Sequence, residues 1–371
     1  MTTERHRSSA TPLAAAFAAL IVYASLFPFE GWRWPPGQQF SALLVLHWPR
    51  WATAFDDWSN FVGYAPLGAL LLIAARRSGW RPLPALALGV LLPAAMSYGA
   101  EVTQQFLPTR YSSLKDFVLN AAGGAVGALV GAALHAVGLI DRWHGLRQRW
   151  FVPRSAGALA LLALWPMGLL FPAPVPLGLG QFGERLRGYV LDWLDEVPWA
   201  DPVYELLASV PTPTERLWLP AEAAVTTLGL LAPCLVAYAV VAPGWRRTVL
   251  VAGALALGAA AMTLSTLLNF GPQHALAWLT PTVGPALLAA AGIALLLAPV
   301  GRRVACGLGL VVLTVLVTLV AQAPSDPYFA DSLQSWEQGR FVRFHGLSQW
   351  IGWLWPYAAG GWLLARLAAR D

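Results

Sequence analysis

The 371-residue chain is 57% hydrophobic and 12% charged, with a formal net charge of +5, whereas an ordinary soluble domain is roughly 25% charged. So little charge excludes a large water-exposed surface. A mean hydropathy of +0.56 and 19 tryptophans instead fit helices in lipid with aromatic anchors at the interface. Lys115 is the single lysine among the 24 basic residues, so the basic pI is an arginine effect and its meaning depends on where the arginines fall.

Taken in chain order, ten apolar runs qualify as crossings of about 30 Å of hydrocarbon. They cover 12–29, 58–75, 83–100, 117–140, 157–171, 220–241, 249–268, 278–298, 304–320 and 350–367, the fifth and ninth being short. The expected architecture is an all-α, polytopic transmembrane helical bundle of about ten spans. Arg5 and Arg7 precede the first run, but its apolar length and the spans that follow favour an uncleaved signal anchor over a cleaved signal peptide.

The arginines test that count. Alternate connections hold Arg5 and Arg7; Arg76, Arg77 and Arg81; Arg142, Arg147, Arg149 and Arg154; Arg246 and Arg247; Arg302 and Arg303; and Arg366 and Arg370. Together they take fifteen of the 24 basic residues but only three of the 19 acidic ones, Glu4, Asp141 and Asp371. The positive-inside bias makes these segments cytoplasmic, with both chain ends inside. An error of one span would break the alternation downstream. Topology thus accounts for the arginines, and nucleic acid is not an expected partner.

Two outer connections exceed plain turns. Residues 30–57 carry Trp32, Trp34, Trp48 and Trp51, and 172–219 place Leu186, Tyr189, Val190, Trp193, Leu194 and Val197 at helical spacing with Asp192, Asp195 and Glu196 elsewhere on the wheel. Both read as helices lying in the outer interface. A third outer loop covers 321–349. Cys234 and Cys306 sit in separate apolar runs and read as packing thiols, not a disulfide or metal pair.

The least ordinary stretch joins the third run to the fourth. Glu101 and Gln105 are four apart, as are Asp116 and Asn120, so each pair shares a helical face. Beyond Asn120 the same face carries Gly123, Gly124, Gly127 and Gly131, a small-xxx-small pattern that lets backbones approach closely. The third span, its hairpin neighbour, is the expected partner of that glycine face. Such packing gathers Glu101, Gln105, Asp116 and Asn120 at the outer boundary under Arg110, with Asp57, Asn60 and Tyr64 joining from the second span.

Three blocks in this region carry a family resemblance: Tyr23-Ala-Ser-Leu-Phe-Pro-Phe29, Asn60-Phe-Val-Gly-Tyr-Ala-Pro-Leu-Gly68, and Glu101-x-x-x-Gln105 with Arg110 and Asp116-x-x-x-Asn120-x-x-Gly123. In order and placement they resemble the VanZ family, named for a protein associated with teicoplanin resistance. The resemblance covers about 12–140 and implies a four-span unit, followed by a six-span extension over 141–371. It further implies a bacterial inner-membrane protein of the cell envelope, with glycopeptide resistance as an expected role.

Simpler roles compete with function. Ser113-x-x-Asp116 has capping-box spacing, Glu101 and Arg110 suit an ion pair closing the hairpin, and Leu26-Phe-Pro28 and Leu170-Phe-Pro172 echo each other as ordinary helix exits. What raises the group is the gathering of acids, amides and bases where polar groups are costly. The expected ligand site is therefore Asn60, Glu101, Gln105, Arg110, Asp116 and Asn120, for an anionic or polar envelope ligand. Arg340, Arg343 and His345 form a weaker expectation, an anionic-headgroup contact. His135 and His274 lack ligand-spaced partners, so no metal site is expected, and no catalytic residue or cofactor either. Membrane lipids are the remaining expected partners. A lipid or precursor transporter and a membrane enzyme acting on a lipid-linked substrate are the alternatives.

Overall fold

A computed structural model describes residues 10–27, 29–49, 54–153, 155–195, 197–324 and 342–369. Its named elements are all helical, and the β-bridge between Phe151 and Val241 is isolated. The chain divides into two compact units, Met1–Leu146 and Arg147–Asp371.

The first unit contains α1 (Ala10–Leu26), α2 (Phe40–Leu43), α3 (Ala54–Arg77), α4 (Pro82–Gln104) and α5 (Leu114–Ala136). Helix α6 (Leu139–Trp150) crosses into the second unit. The expected run 117–140 breaks at Gly138, whose φ of +69° ends α5 and opens α6. Of the expected interfacial helix in 30–57, the described residues show one turn, α2.

Helix α4 explains how this unit packs. Its buried residues are Ala85, Gly89, Pro93, Ser97 and Glu101, every fourth residue along one stripe. The N-terminal half of that stripe is small or apolar and its C-terminal end is polar. The glycine face of α5 meets a different neighbour from the one expected. A Cβ on Gly123 or Gly127 would run into the backbone of Phe61 or Ala65, and one on Gly131 would lie 3.1 Å from Ala69 Cα. The three pairs keep one offset, so α3 and α5 run parallel at backbone contact. Only Gly124 turns toward α4, where its Cβ would lie 2.7 Å from Pro93. The correction has a steric cause: α3 offers a matching row of bare backbone, whereas Pro93 fills the approach from α4. Lipid gives helices no hydrophobic reason to associate, so such contacts must bind them by dispersion.

The second unit contains α7 (Ala156–Gly168), α8 (Phe182–Leu194), α9 (Asp201–Ala208), α10 (Leu219–Tyr238), α11 (Trp245–Phe270), α12 (Val283–Leu296), α13 (Arg302–Val320) and α14 (Val342–Ala368). Across both units six helices (α3, α4, α5, α10, α11 and α13) are long and apolar enough to cross a membrane, and α1, α7 and α12 are shorter apolar helices. Helix α14 has 27 residues, among them four tryptophans and Pro356. These helices coincide with the ten expected runs. The shortened ones show why length differs: prolines at 172, 174 and 176 stop α7's helical path, and α12 begins only after Thr280 and Thr282 turn their hydroxyls onto buried Glu222.

Helices α8 and α9, in the connection expected to lie at the interface, expose Leu186, Tyr189, Trp193, Val203 and Leu206. Residues 172–180, expected in the same outer loop, are instead buried non-helical backbone. Unwound backbone survives inside a membrane protein only where its polar groups find partners. Here Thr226 Oγ1 donates to Pro176 O at 3.2 Å and Tyr357 donates to Gly180 O at 3.2 Å. Gly229 makes room, since a Cβ there would lie 2.8 Å from Leu177 Cβ. Cys234 and Cys306 are free and buried.

Arg247 departs furthest from expectation. Read as an inner-loop charge, it is wholly buried. Its guanidinium donates to Tyr238 O, Val241 O, Ala298 O and Val300 O at 2.7–3.1 Å and lies over the Tyr238 ring. It thereby serves the ends of α10 and α12 together, whose last carbonyls have no helical partner.

Candidate functional site

One end of the first unit, where α4 ends and α3 and α5 begin, collects polar side chains from α3, α4 and α5. On α4, Ser97 and Glu101 occupy the polar end of the buried stripe. Asn120 stands just above the glycine face of α5, and Asn60 and Tyr64 are one turn apart on α3. Close helix approach seals them: Ser97, Glu101, Asn120 and Tyr64 are each no more than 5% exposed.

Several bonds fix this end. Glu101 Oε2 accepts from the Ser113 N–H at 2.7 Å, and Ser113 Oγ accepts from the Asp116 N–H at 3.1 Å. The expected N-cap of α5 is therefore present, and Glu101 holds the capping residue in turn. Asn120 Nδ2 donates to Ser97 Oγ at 2.9 Å, linking α5 to α4. Lys115 Nζ lies 2.7 Å and 2.8 Å from the two carboxylate oxygens of Asp57, tying the start of α5 to α3.

The remaining site residues reach outward to the cover. Arg110 donates to Phe27 O through Nε at 2.8 Å and to Ala24 O through Nη2 at 3.3 Å, serving the exposed carbonyls at the end of α1. Gln105 Nε2 donates to Leu43 O at 2.6 Å, Gln104 Nε2 to Ser25 O at 2.9 Å, and the Tyr98 hydroxyl to Leu44 O at 2.7 Å. With Arg33 N donating to Phe106 O and Leu114 N to His47 O, these bonds fasten residues 29–49 over the helix ends.

Among the described residues of this end, three buried polar atoms lack both an ion pair and a well-formed hydrogen bond: Asn60 Nδ2, Tyr64 OH and Asn120 Oδ1. The Tyr64 hydroxyl sits among Ser25, Ser97 and Glu101 without a hydrogen bond of good geometry. Turning the Asn120 amide does not cure its deficit, because a different atom of the same group then loses its partner. Each such atom costs roughly 1–3 kcal/mol.

Six residues were expected at the ligand site. Glu101, Asn120 and Asn60 belong to the buried cluster, whereas Gln105 and Arg110 bond to the cover and the end of α1. Asp116 stands in the first turn of α5, its N–H capped by Ser113. Sequence reasoning gave Ser113 only a capping role and left Ser97 out; Ser97 lies four residues before Glu101, a spacing that could have found it. Of the headgroup residues, Arg340 and the side chains of Arg343 and His345 lie outside the described residues. No group of three or more His, Cys, Asp or Glu suited to a metal ion occurs among the described residues.

Residues 4–135 match the VanZ/LLP1 family model, and residues 136–371 lie beyond the match. Neither curated proteins nor solved structures yield a match to the chain.

Proposed function

We propose that this VanZ-type membrane protein uses the outer end of its first unit to bind a polar, uncharged group of a cell-envelope molecule, such as a hydroxyl or carboxamide. The observation that carries the reading is the set of unpaired atoms on two helices, α3 and α5. Asn60 brings a donor, Asn120 an acceptor and Tyr64 a group that can be either, the complement of a hydroxyl or an amide. Paying for three such atoms without use is hard to reconcile with a structural role alone.

Charge argues against the anionic alternative. Asp56, Asp57, Glu101 and Asp116 outnumber Arg110 and Lys115 at this end, which leaves these groups net negative however they pair. Transport through this unit also lacks support. Inward of Ser97 the α4 stripe continues as Pro93, Gly89 and Ala85, and inward of Asn120 the α5 face is glycine and alanine. A solute path would need polar groups along that length. Native residence in the bacterial plasma membrane and a contribution to glycopeptide resistance follow from the VanZ type and belong to the same proposal.

Native mass spectrometry of the gently extracted full-length chain tests it. Wild type is expected to retain an envelope-derived adduct that Asn60→Leu with Asn120→Leu abolishes, and that Asn60→Leu, which leaves the Asn120–Ser97 bond in place, weakens while thermal stability is kept. A wild-type spectrum free of adducts, or an adduct indifferent to both substitutions, would sink the proposal. In a susceptible host the same double variant is expected to lose any teicoplanin protection the wild type confers.

A further inference from the structure

A second unpaired donor lies elsewhere, in the second unit. Here the loops following α10 and α12 meet through Arg247, and Val152 N donates to Val240 O at 2.9 Å, bringing the end of α6 to the same place. The described residues of this end include Arg147, Arg149, Arg246, Arg247, Arg302 and Arg303, with no acidic residue between 147 and 157, 238 and 248, or 296 and 304. Arg247 is buried against neutral carbonyls, so its charge adds to the local field without a counterion among its partners.

Arg246 is held differently. Its Nη1 donates to Arg149 O, and its guanidinium carbon lies 5.8 Å from the Trp150 ring centroid. Trp150 is in turn braced edge-on by Trp245 at 5.3 Å. One end of the guanidinium is thus fixed, while its Nε is buried without any partner. A planar guanidinium held at one end, in a corner without acidic residues, suits a phosphate oxygen at its remaining open edge.

We propose that this corner holds the phosphate of an anionic lipid headgroup, taken by Arg246 and flanked by Arg149 and Arg147. The tryptophans argue for lipid over a free anion. Trp245 is 66% exposed at the first residue of an apolar 26-residue helix, the position of an interfacial anchor, and it sets Arg246 at headgroup depth. This site is independent of the one proposed in the first unit.

The full-length protein, titrated in detergent with phosphatidylglycerol, phosphatidylcholine or inorganic phosphate and read by native mass spectrometry, tests the assignment. Phosphatidylglycerol is expected to be retained, phosphatidylcholine not, and inorganic phosphate not to displace the lipid at equal concentration. Arg246→Gln is expected to weaken phosphatidylglycerol retention about five-fold or more, and Arg246→Lys to weaken it too, since lysine keeps the charge but has no planar donor fork. Arg149→Gln, at an exposed position that leaves the carbonyl holding Arg246 intact, gives a smaller loss and guards against a folding defect. The Arg76→Gln, Arg77→Gln double variant removes more charge from the first unit and is expected to change nothing. Equal retention of both lipids, wild-type retention by Arg246→Lys, loss in the Arg76/Arg77 variant, or displacement by phosphate would each overturn the site.

Discussion

Two buried side chains show opposite uses of polarity in this protein. The Tyr64 hydroxyl lacks a partner of good geometry, so Tyr64→Phe deletes a deficit and not a bond. Thermal unfolding in detergent is expected to show stability unchanged or raised by up to about 1 kcal/mol, while any ligand retention at the outer site falls. A clear loss of stability would mean that the hydroxyl is satisfied. Arg247 is the reverse case. Every carbonyl it serves becomes a buried acceptor without a donor when the side chain is removed. Arg247→Ala is expected to cost at least about 3 kcal/mol, read as a fall in unfolding temperature and in expression. Tolerance of that change would show the clamp to be dispensable.

At the scale of the element, the parallel contact between α3 and α5 rests on missing side chains. Gly127→Ala forces a methyl into the backbone of Ala65, and helices packed at this distance separate instead of yielding. The expected loss is about 1–3 kcal/mol, visible in unfolding and in aggregation on extraction. Gly63→Ala on the neighbouring helix meets nothing within 4 Å and is expected to be neutral or slightly stabilising. Equal behaviour of the two variants would refute the contact. Since the same packing brings Asn60 and Tyr64 beside Ser97 and Asn120, Gly127→Ala should also disturb the outer cluster from two turns away.

Over the whole molecule, we propose that both chain ends and every arginine-rich connection lie on the cytoplasmic side. The expectation is about ten spans, six of them carried by helices long enough by themselves. Both native cysteines are buried, so single introduced cysteines can report sidedness against a quiet background. In intact cells a cysteine at Tyr111, which is 89% exposed, should react with a membrane-impermeant maleimide. Cysteines at Gly79 and at Arg303 should react only after permeabilisation. Labelling of position 303 from outside would remove the orientation and with it the placement of the polar cluster at the outer surface.

The sequence alone determined the helical class, the ten apolar runs, the cap of α5 by Ser113 and the gathering of polar residues around Glu101 and Asn120. All of these depend on hydropathy or on spacing along a single helix, which neighbouring residues already encode. Tertiary structure decided the rest. The glycine face met α3 and not α4, Arg247 turned from a loop charge into a buried clamp, and 172–180 folded inward as satisfied irregular backbone. Each outcome depends on what a second or third segment offers in return: a bare backbone row, two sets of unfilled carbonyls, or the hydroxyls of Thr226 and Tyr357. No pattern within one segment specifies its partner, because packing and hydrogen bonding are properties of the pair.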